Sequence, residues 1–256
     1  MSRSIAKNSR VYIDGFDLSG YVQAPPPLVW EFEPSEWAAI TDPVKGVLPG
    51  QANIRGGTLN GVMDNTATSG LHAVMSTPDQ VRDIMVPTGF DAAPAAGDPA
   101  FMAQLEQLSY QGSGDGLLVP ITIELGGRSV RGDDMAYAVP WGHLLHAKGA
   151  ETGVNSAAGI TVASAASSKG GFMMYHAFSS DGTVTILVEE ASTNTDGNFA
   201  ALSGATSGEI DPSSTPVSGL IPLDNDAAVK RYLRWQITLG TATTVTFALG
   251  FVRGIH

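Results

Sequence analysis

The chain has no cysteine among its 256 residues, which excludes both disulfide bonds and thiolate metal sites. No apolar run approaches the roughly 18 residues that a membrane-spanning helix needs. The residues that follow Met1 are too polar for the apolar stretch of a secretion signal. We therefore expect a protein made in the cytoplasm, with no membrane partner.

Charged residues are also scarce, and they are mostly of one sign. They make up 15% of the chain, against about a quarter in a typical soluble domain, and the net charge is −11. Basic residues form no cluster beyond a thin scatter at Arg3, Lys7 and Arg10. A chain this acidic is poorly suited to binding phosphate backbones through counterion release. The acidic balance either keeps the protein soluble or lets DNA pass a surface without sticking.

Glycine and proline are plentiful, at 30 and 15 residues, which favours many short strands joined by turns. Alternating apolar and polar residues predict strands at 121–125, 184–188, 232–239 and 245–251. The short connection at residues 240–242 predicts that the last two strands form a hairpin. In that register Trp235 and Phe247 are both buried, and a slip of one residue would expose both. Near the start, Asp14-Gly15 predicts the turn of a first hairpin or a strand that enters a corner.

Two short helices are predicted before these strands. Thr77 can cap the first, Pro78 suits its first turn, and Gln80 completes the spacing of a capping box. The second begins at Asp98, and apolar residues recur at helical spacing as far as Leu108.

Residues 24–61 are rich in proline and glycine, and proline blocks pairing in a central strand. Trp30 and Phe32 alternate with Glu31 and Glu33, which predicts one short, half-buried strand. The remainder is predicted to be a long loop, and a loop of this length is uncommon unless it has a role such as docking onto a neighbouring subunit.

Two histidines are the best candidates for a metal site. His143 and His146 are three residues apart, which on a helix would place both imidazoles on one side. A metal also needs a third ligand and supporting groups, and the nearest acids, Asp133 and Asp134, have no recognisable spacing. The alternative is a half-buried segment that packs at an interface.

The other short motifs are weaker. Residues 224–226 (DND) resemble the start of a calcium loop without its later glycine and glutamate, so they are expected to shape a turn, as is Asp181-Gly182. Residues 131–133 spell the adhesion tripeptide RGD, a match that often arises by chance, and residues 112–116 lack the Lys-Ser/Thr of a phosphate loop. We therefore predict no enzyme, no catalytic residue, no metal and no cofactor.

Three passages resemble structural proteins of tailed phages. Residues 11–20 (VYIDGFDLSG) resemble the "VDGYDLSG" start of a group of siphophage virion proteins, and residues 132–137 (GDDMAY) resemble their central "GDxAY" segment. Residues 231–234 (RYLR), with Phe247, Phe251 and Arg253, are similar to their "RYLR…FxxxFxR" finish. The group looks like the tail tube, or major tail, protein family.

This resemblance implies a mainly β fold: a tail-tube-like β-sandwich or barrel with one or two short helices, plus a C-terminal antiparallel β-sandwich region. The domains expected are a flexible N-terminal arm (1–10), a tail-tube-like β domain with the Pro-rich loop and two short helices (11–165), and a C-terminal β-sandwich (166–256). The chain is longer than many tube proteins, so it implies an added sandwich or a duplicated tube fold, although no internal repeat is convincing.

The function implied is a virion protein that assembles in the host cytoplasm into the stacked rings of a tail tube. Its partners would be copies of itself, other phage tail or head proteins, and passing DNA that is not bound specifically. Two alternatives remain. One is a head-decoration or capsid-stabilising protein. The other is a carbohydrate- or receptor-binding β-sandwich in which Trp30, Trp37 or Trp141 stacks on sugars.

Overall fold

The structure is a computed structural model that describes residues 6–37, 46–64, 66, 68–114, 119–127, 140–153, 160–161 and 166–254. The prediction of a mainly β fold is confirmed. The one α-helix in the described part is α1 (Leu71–Met75). In chain order the strands are β1 (Tyr12–Ile13), β2 (Phe16–Asp17), β3 (Leu28–Trp37), β4 (Gly46–Gly56), β5 (Thr58–Val62), β6 (Gln80–Pro87), β7 (Pro99–Gln107), β8 (Gln111–Gly112), β9 (Pro120–Gly127), β10 (Trp141–Glu151), β11 (Ile160–Thr161), β12 (Gly171–Ser180), β13 (Val184–Ala191), β14 (Ala200–Ile210), β15 (Val217–Pro222), β16 (Tyr232–Leu239) and β17 (Val245–Arg253).

These strands form three antiparallel sheets. The largest has 11 strands and follows the order β15-β12-β17-β10-β7-β6-β1-β2, with β9 attached to β7, and β5 and β8 attached to β9. A four-stranded sheet has the order β11-β16-β13-β14. The third sheet is a two-stranded ribbon of β3 and β4.

The large sheet folds over on itself. Strands β7 and β10 pair through only three residue pairs, which join Pro99–Phe101 to Trp141–His143. One half of the sheet holds β1, β2, β6 and β7, and the other half holds β10, β12, β15 and β17. The two halves face each other across an inner core that includes Tyr12, Met85 and Met102 from the first half and Phe172, Met174 and Val252 from the second.

Two outer cores complete the stack. The second half packs its other face on the four-stranded sheet, through residues such as Phe247, Phe251, Ile186 and Trp235. The first half packs its other face on α1, β5 and β9, through residues such as Ile84, Phe101, Leu71, Leu59 and Ile123. The described residues therefore form four β-layers with three cores between them, and the central strands of the two middle layers are buried on both faces.

The strands predicted from alternation are confirmed, since β9, β13, β16 and β17 cover them. The first hairpin is confirmed as well. Asp14 and Gly15, with φ of 51° and 84°, form the turn between β1 and β2. Positive φ at both central residues is the geometry that tight hairpins favour.

The two predicted helices are wrong, because both segments are strands. The first is β6, and Asp79, just before it, has φ of 61°, which a right-handed helix cannot contain. The second is β7, which starts at Pro99, a position where proline costs no ladder bond. Both strands belong to a middle layer and bury residues on both faces, so their apolar residues imitate helical spacing.

The prediction of a long loop at residues 24–61 is wrong for most of the described residues, which form β3, β4 and β5, whereas residues 38–45 lie outside the described part. The short strand expected around Trp30 is confirmed, but it is part of β3, which pairs with β4 from Leu28↔Gly56 to Trp37↔Gly46. Pro34 and Pro49 pair directly opposite each other beside a bulge. Proline is tolerated there because each strand of a two-stranded ribbon is an edge strand.

The hairpin predicted from β16 and β17 does not form. Strand β16 pairs with β11 and β13, whereas β17 pairs with β10 and β12, so the connection at 240–242 crosses from one layer to the next. Trp235 and Phe247 nevertheless meet across that interface, with ring centroids 5.7 Å apart. The shared burial was predicted correctly, although the pairing was wrong.

The division into domains at residue 165 stays a prediction. Residues 1–5 of the predicted arm lie outside the described residues. Of the rest, Ala6–Asn8 form a 3-10 turn, Ser9 makes a β-bridge with Thr88, and the Asn8 amide donates to the carbonyl of Phe90 at 3.0 Å.

Candidate functional site

A line of polar contacts joins the two halves of the large sheet, and we call it the polar seam. Its members on the first half are Gly15, Asp17, Asp83 and Gln104, and on the second half Lys148, His176 and Ser218. The Asp83 carboxylate accepts hydrogen bonds from the Ser218 hydroxyl at 2.7 Å and from the Gln104 amide at 2.8 Å. The Lys148 ammonium lies 2.8 Å from the Asp17 carboxylate. These contacts fix the register of one half against the other.

His176 is the buried centre of the seam. Its Nδ1 accepts the backbone N–H of Gly15 at 3.0 Å, so the ring proton is on Nε2, which has no hydrogen-bond partner among the described residues. The side chain is completely buried, beside Tyr12 and Phe178. Burial lowers the pKa of His176 to about 4, although the nearby Asp83 carboxylate favours the charged form. At neutral pH this imidazole is therefore an uncharged acceptor.

A partly buried ion pair lies next to the polar seam. Arg82 donates Nη1 to the Asp14 carboxylate at 2.8 Å, Nε to the Gln107 amide oxygen at 2.9 Å and Nη2 to the carbonyl of Thr77 at 2.9 Å. Burial raises the pKa of Asp14, although its bonds from Arg82 and from the Asp83 amide act in the other direction. Gln107 in turn donates to the carbonyl of Met75 at 2.6 Å, which ties α1 to the sheet.

The outer face of the four-stranded sheet carries a second charged cluster. Arg234 pairs with Glu189 across the β13–β16 ladder at 2.6 Å and also binds Asp196. The Phe199 ring covers the guanidinium at 4.2 Å from its centroid. The charged groups of the Arg82 and Arg234 clusters pair with groups of the same chain. These contacts therefore hold layers and loops in place.

The two candidate metal-binding histidines lie on a strand, β10, and not on a helix. His143 donates Nδ1 to the carbonyl of Gly97 at 3.0 Å. His146 stacks on Phe247 at 4.1 Å, and its two nitrogens lie 3.1 Å from the Phe247 carbonyl and 2.9 Å from the Glu151 carboxylate. Within the described residues no group of three or more His, Asp or Glu is arranged to hold a metal ion.

The remaining motifs have structural roles or lie outside the described residues. Asp181 accepts hydrogen bonds from the Thr243 hydroxyl and from the amides of Thr244 and Thr243, which lower its pKa to about 2, so it shapes the turn as predicted. Residues 224–226 also form a turn, closed by the Ala227 amide on the Asp224 carbonyl at 2.9 Å. The tripeptide at 131–133 lies outside the described residues. The helices of the part that is described include none long and apolar enough to cross a membrane.

The β3–β4 ribbon has two free edges. In the described part of the chain, β3 pairs only with β4, and β4 only with β3. At the base of the ribbon Leu28 and Ile54 pack on the core beside α1. Gly56 approaches Leu125 so closely that a Cβ there would lie 2.9 Å from the leucine Cβ. An isolated two-stranded ribbon is marginally stable in water, and its free edges invite pairing with another chain.

A small basic cleft lies near the start of β1, and we call it the N-terminal cleft. It has a volume of about 250 Å³ and is lined by Lys7, Ser9, Arg10, Val11, Ser19, Val22, Gln23, Ala24 and Pro25. Its lining contains two basic residues and no acidic residue, on a chain whose net charge is −11.

Sequence reasoning missed the polar seam and the cleft. The one sequence signal for the seam is His176, which interrupts an apolar run in the segment FMMYHAF. Lys7 and Arg10 belong to the basic scatter near the start of the chain, but no local pattern shows that residues 19–25 line the same cleft.

Comparisons with known proteins found little. No protein-family model matches the chain, and no curated protein matches it. Among solved structures the chain is similar to the Dit protein of phage SPP1, described as a paradigm of the hub adsorption apparatus of phages that infect Gram-positive bacteria. The match covers 97% of this chain and 99% of that chain, at 13% sequence identity and a TM-score of 0.33. Likeness at this level carries no conclusion about family or function.

Proposed function

We propose that the chain is a structural subunit of a phage tail, and that it assembles with copies of itself into the stacked rings of a tail tube. The sequence support is the ordered resemblance at residues 11–20, 132–137 and 231–253. The first passage forms β1, its turn and β2, and the last lies in β16 and β17, so both belong to the folded body.

The observation that carries the proposal is the ribbon. These strands of 10 and 11 residues pair, among the described residues, only with each other, and a ribbon of that kind needs a third strand or a packed face to be stable. A neighbouring copy supplies that cover in a ring. The polar seam suits the same role, because a subunit under load in an assembly needs rigidly held layers.

Electron microscopy of the purified protein tests the proposal. We expect rings or tubes at high protein concentration, together with a concentration-dependent rise in mass by sedimentation velocity. A wild-type protein that stays monomeric under all these conditions would refute the proposed function.

Shortening the ribbon is expected to abolish assembly and to leave the folded body intact. In the variant, Asn-Gly replaces residues 32–52 and joins Glu31 to its cross-strand partner Asn53 in a tight turn. Leu28 and Ile54 are kept, so the core beside α1 does not change. Sedimentation velocity measures assembly and urea unfolding measures stability. If the shortened protein assembles as the wild type does, the ribbon is not the assembly element.

A carbohydrate-binding role has one observation in its favour. Trp141 is 42% exposed and meets Phe101 edge to face at 5.5 Å, which leaves part of the indole open to solvent. A carbohydrate-binding role predicts hits on a glycan array that Trp141→Ala removes. An array without hits would exclude this role, and assembly would be the remaining proposal.

A further inference from the structure

The N-terminal cleft places two basic residues together on a chain whose net charge is −11. Lys7 is exposed and forms no ion pair with another described residue. Arg10 uses its Nη1 on the carbonyls of Ser9 at 3.0 Å and Lys7 at 3.3 Å, which holds the guanidinium at the cleft. Ser19 and Gln23 also line the cleft. The Ser19 hydroxyl is already engaged, because it donates to the Asp17 carboxylate at 2.5 Å and accepts the Val11 amide at 2.9 Å. A cleft of this kind suits a ligand that presents carboxylates.

This inference rests on the proposed function. We propose that the N-terminal cleft binds the glutamates of the β3 strand of a neighbouring copy. Residues 31–36 have the sequence EFEPSE, with three carboxylates and no basic residue. They lie on a strand whose outer edge is unpaired in the described part of the chain. The cleft and the strand therefore complement each other in charge, and the strand has backbone groups left to pair.

The β3 strand of a second copy fits the N-terminal cleft better than the β3 strand of the same chain. The residues that line the cleft all lie between positions 7 and 25, so none comes from the ribbon of the same chain. Cleft and ribbon are different surfaces, which makes the contact head-to-tail. A contact of that type closes into a ring or extends into a filament, which agrees with the proposed assembly.

Nucleic acid fits the cleft less well. Two cations provide about two phosphate contacts, fewer than the roughly 6 to 10 of a DNA-binding protein whose affinity depends steeply on salt. The remaining surface of a chain with net charge −11 repels phosphate.

The contact is tested by reversing the charges on the cleft and on β3 separately, and then by reversing both in one chain. Lys7→Glu with Arg10→Glu is expected to raise the concentration for half-assembly at least tenfold, because like charges then face each other. Glu33→Lys with Glu36→Lys should do the same. All four changes in one chain should restore assembly to within about threefold of the wild type. Arg231→Glu, an exposed arginine outside the cleft, is the matched control and should change little.

The outcomes separate this inference from the proposed function. Normal rings from Lys7→Glu/Arg10→Glu would overturn the cleft contact and leave tube assembly standing. Loss of assembly without rescue in the four-change chain would overturn the ribbon as the occupant. In that case, a DNA mobility shift that the cleft variant abolishes would assign the cleft to nucleic acid. Urea unfolding verifies that each variant folds, and Lys7→Gln/Arg10→Gln replaces any that does not, with a smaller loss expected.

Discussion

Replacing Phe247 by alanine is expected to lower the free energy of unfolding by about 4 kcal/mol, within the range of about 3–5 kcal/mol for deleting a buried aromatic ring. The ring is completely buried between the second half of the large sheet and the four-stranded sheet. It stacks on His146 at 4.1 Å and meets Trp235 edge to face at 5.7 Å. Alanine would leave both aromatic partners facing a cavity. Urea unfolding at pH 7 measures the loss.

Phe90 provides the matched control. It is 39% exposed, so Phe90→Ala is expected to cost less than about 1 kcal/mol. Equal losses for the two alanine variants would show that the four-stranded sheet does not pack on the large sheet as described. A Phe247→Leu variant should fall between them, because leucine fills part of the cavity.

Alternation in the sequence identified strands wherever one face is polar. Strand β13 shows this, since Val184, Ile186 and Val188 are buried and Thr185 is only partly covered. Strand β12 lies in a middle layer, and its sequence gives no alternation because both faces are apolar. Burial on two faces is therefore the physical reason why alternation does not predict β12 and why the sequence pattern of β6 and β7 predicts helices.

The candidate site could not be predicted, because its contacts join distant parts of the chain. The Gly15 amide and the His176 ring are 161 residues apart, and Asp83 and Ser218 are 135 apart. No local pattern encodes such pairs. The ribbon was missed for a different reason: Pro34 and Pro49 argue against a central strand, but nothing local indicates an edge strand.

The buried imidazole of His176 is expected to make the protein less stable as the pH falls from about 6.5 to about 4. The unfolded chain binds a proton near pH 6.5, the ordinary value, whereas burial holds the folded pKa at about 4. Above pH 6.5 both states are neutral and His176 contributes no pH dependence. Between the two values only the unfolded state takes up the proton, so stability falls by about 1.4 kcal/mol per pH unit, to a total of about 3 kcal/mol.

The geometry explains why the folded state resists this proton. Protonated Nδ1 would point an N–H at the Gly15 N–H that it now accepts, and Nε2 already lacks a partner in the described residues. Among the described residues, Asp83 is the acid whose charge acts on the ring. Tyr12 and Tyr175 stay neutral across this range, since burial raises the pKa of each. Asp17, whose carboxylate pairs with Lys148, has a lowered pKa because its hydrogen bonds outweigh burial, so it titrates below the window.

His176→Asn removes the titrating group and keeps an acceptor, because the asparagine oxygen can take the place of Nδ1. We expect the variant to be less stable at pH 7, since it fills less of the inner core, but to lose about 3 kcal/mol less than the wild type between pH 6.5 and pH 4. Urea unfolding across this range measures both slopes, and NMR of the wild-type imidazole gives its pKa directly. Parallel pH profiles for the two proteins would mean that His176 takes up its proton in the folded state, and the seam would then not be closed around a neutral ring.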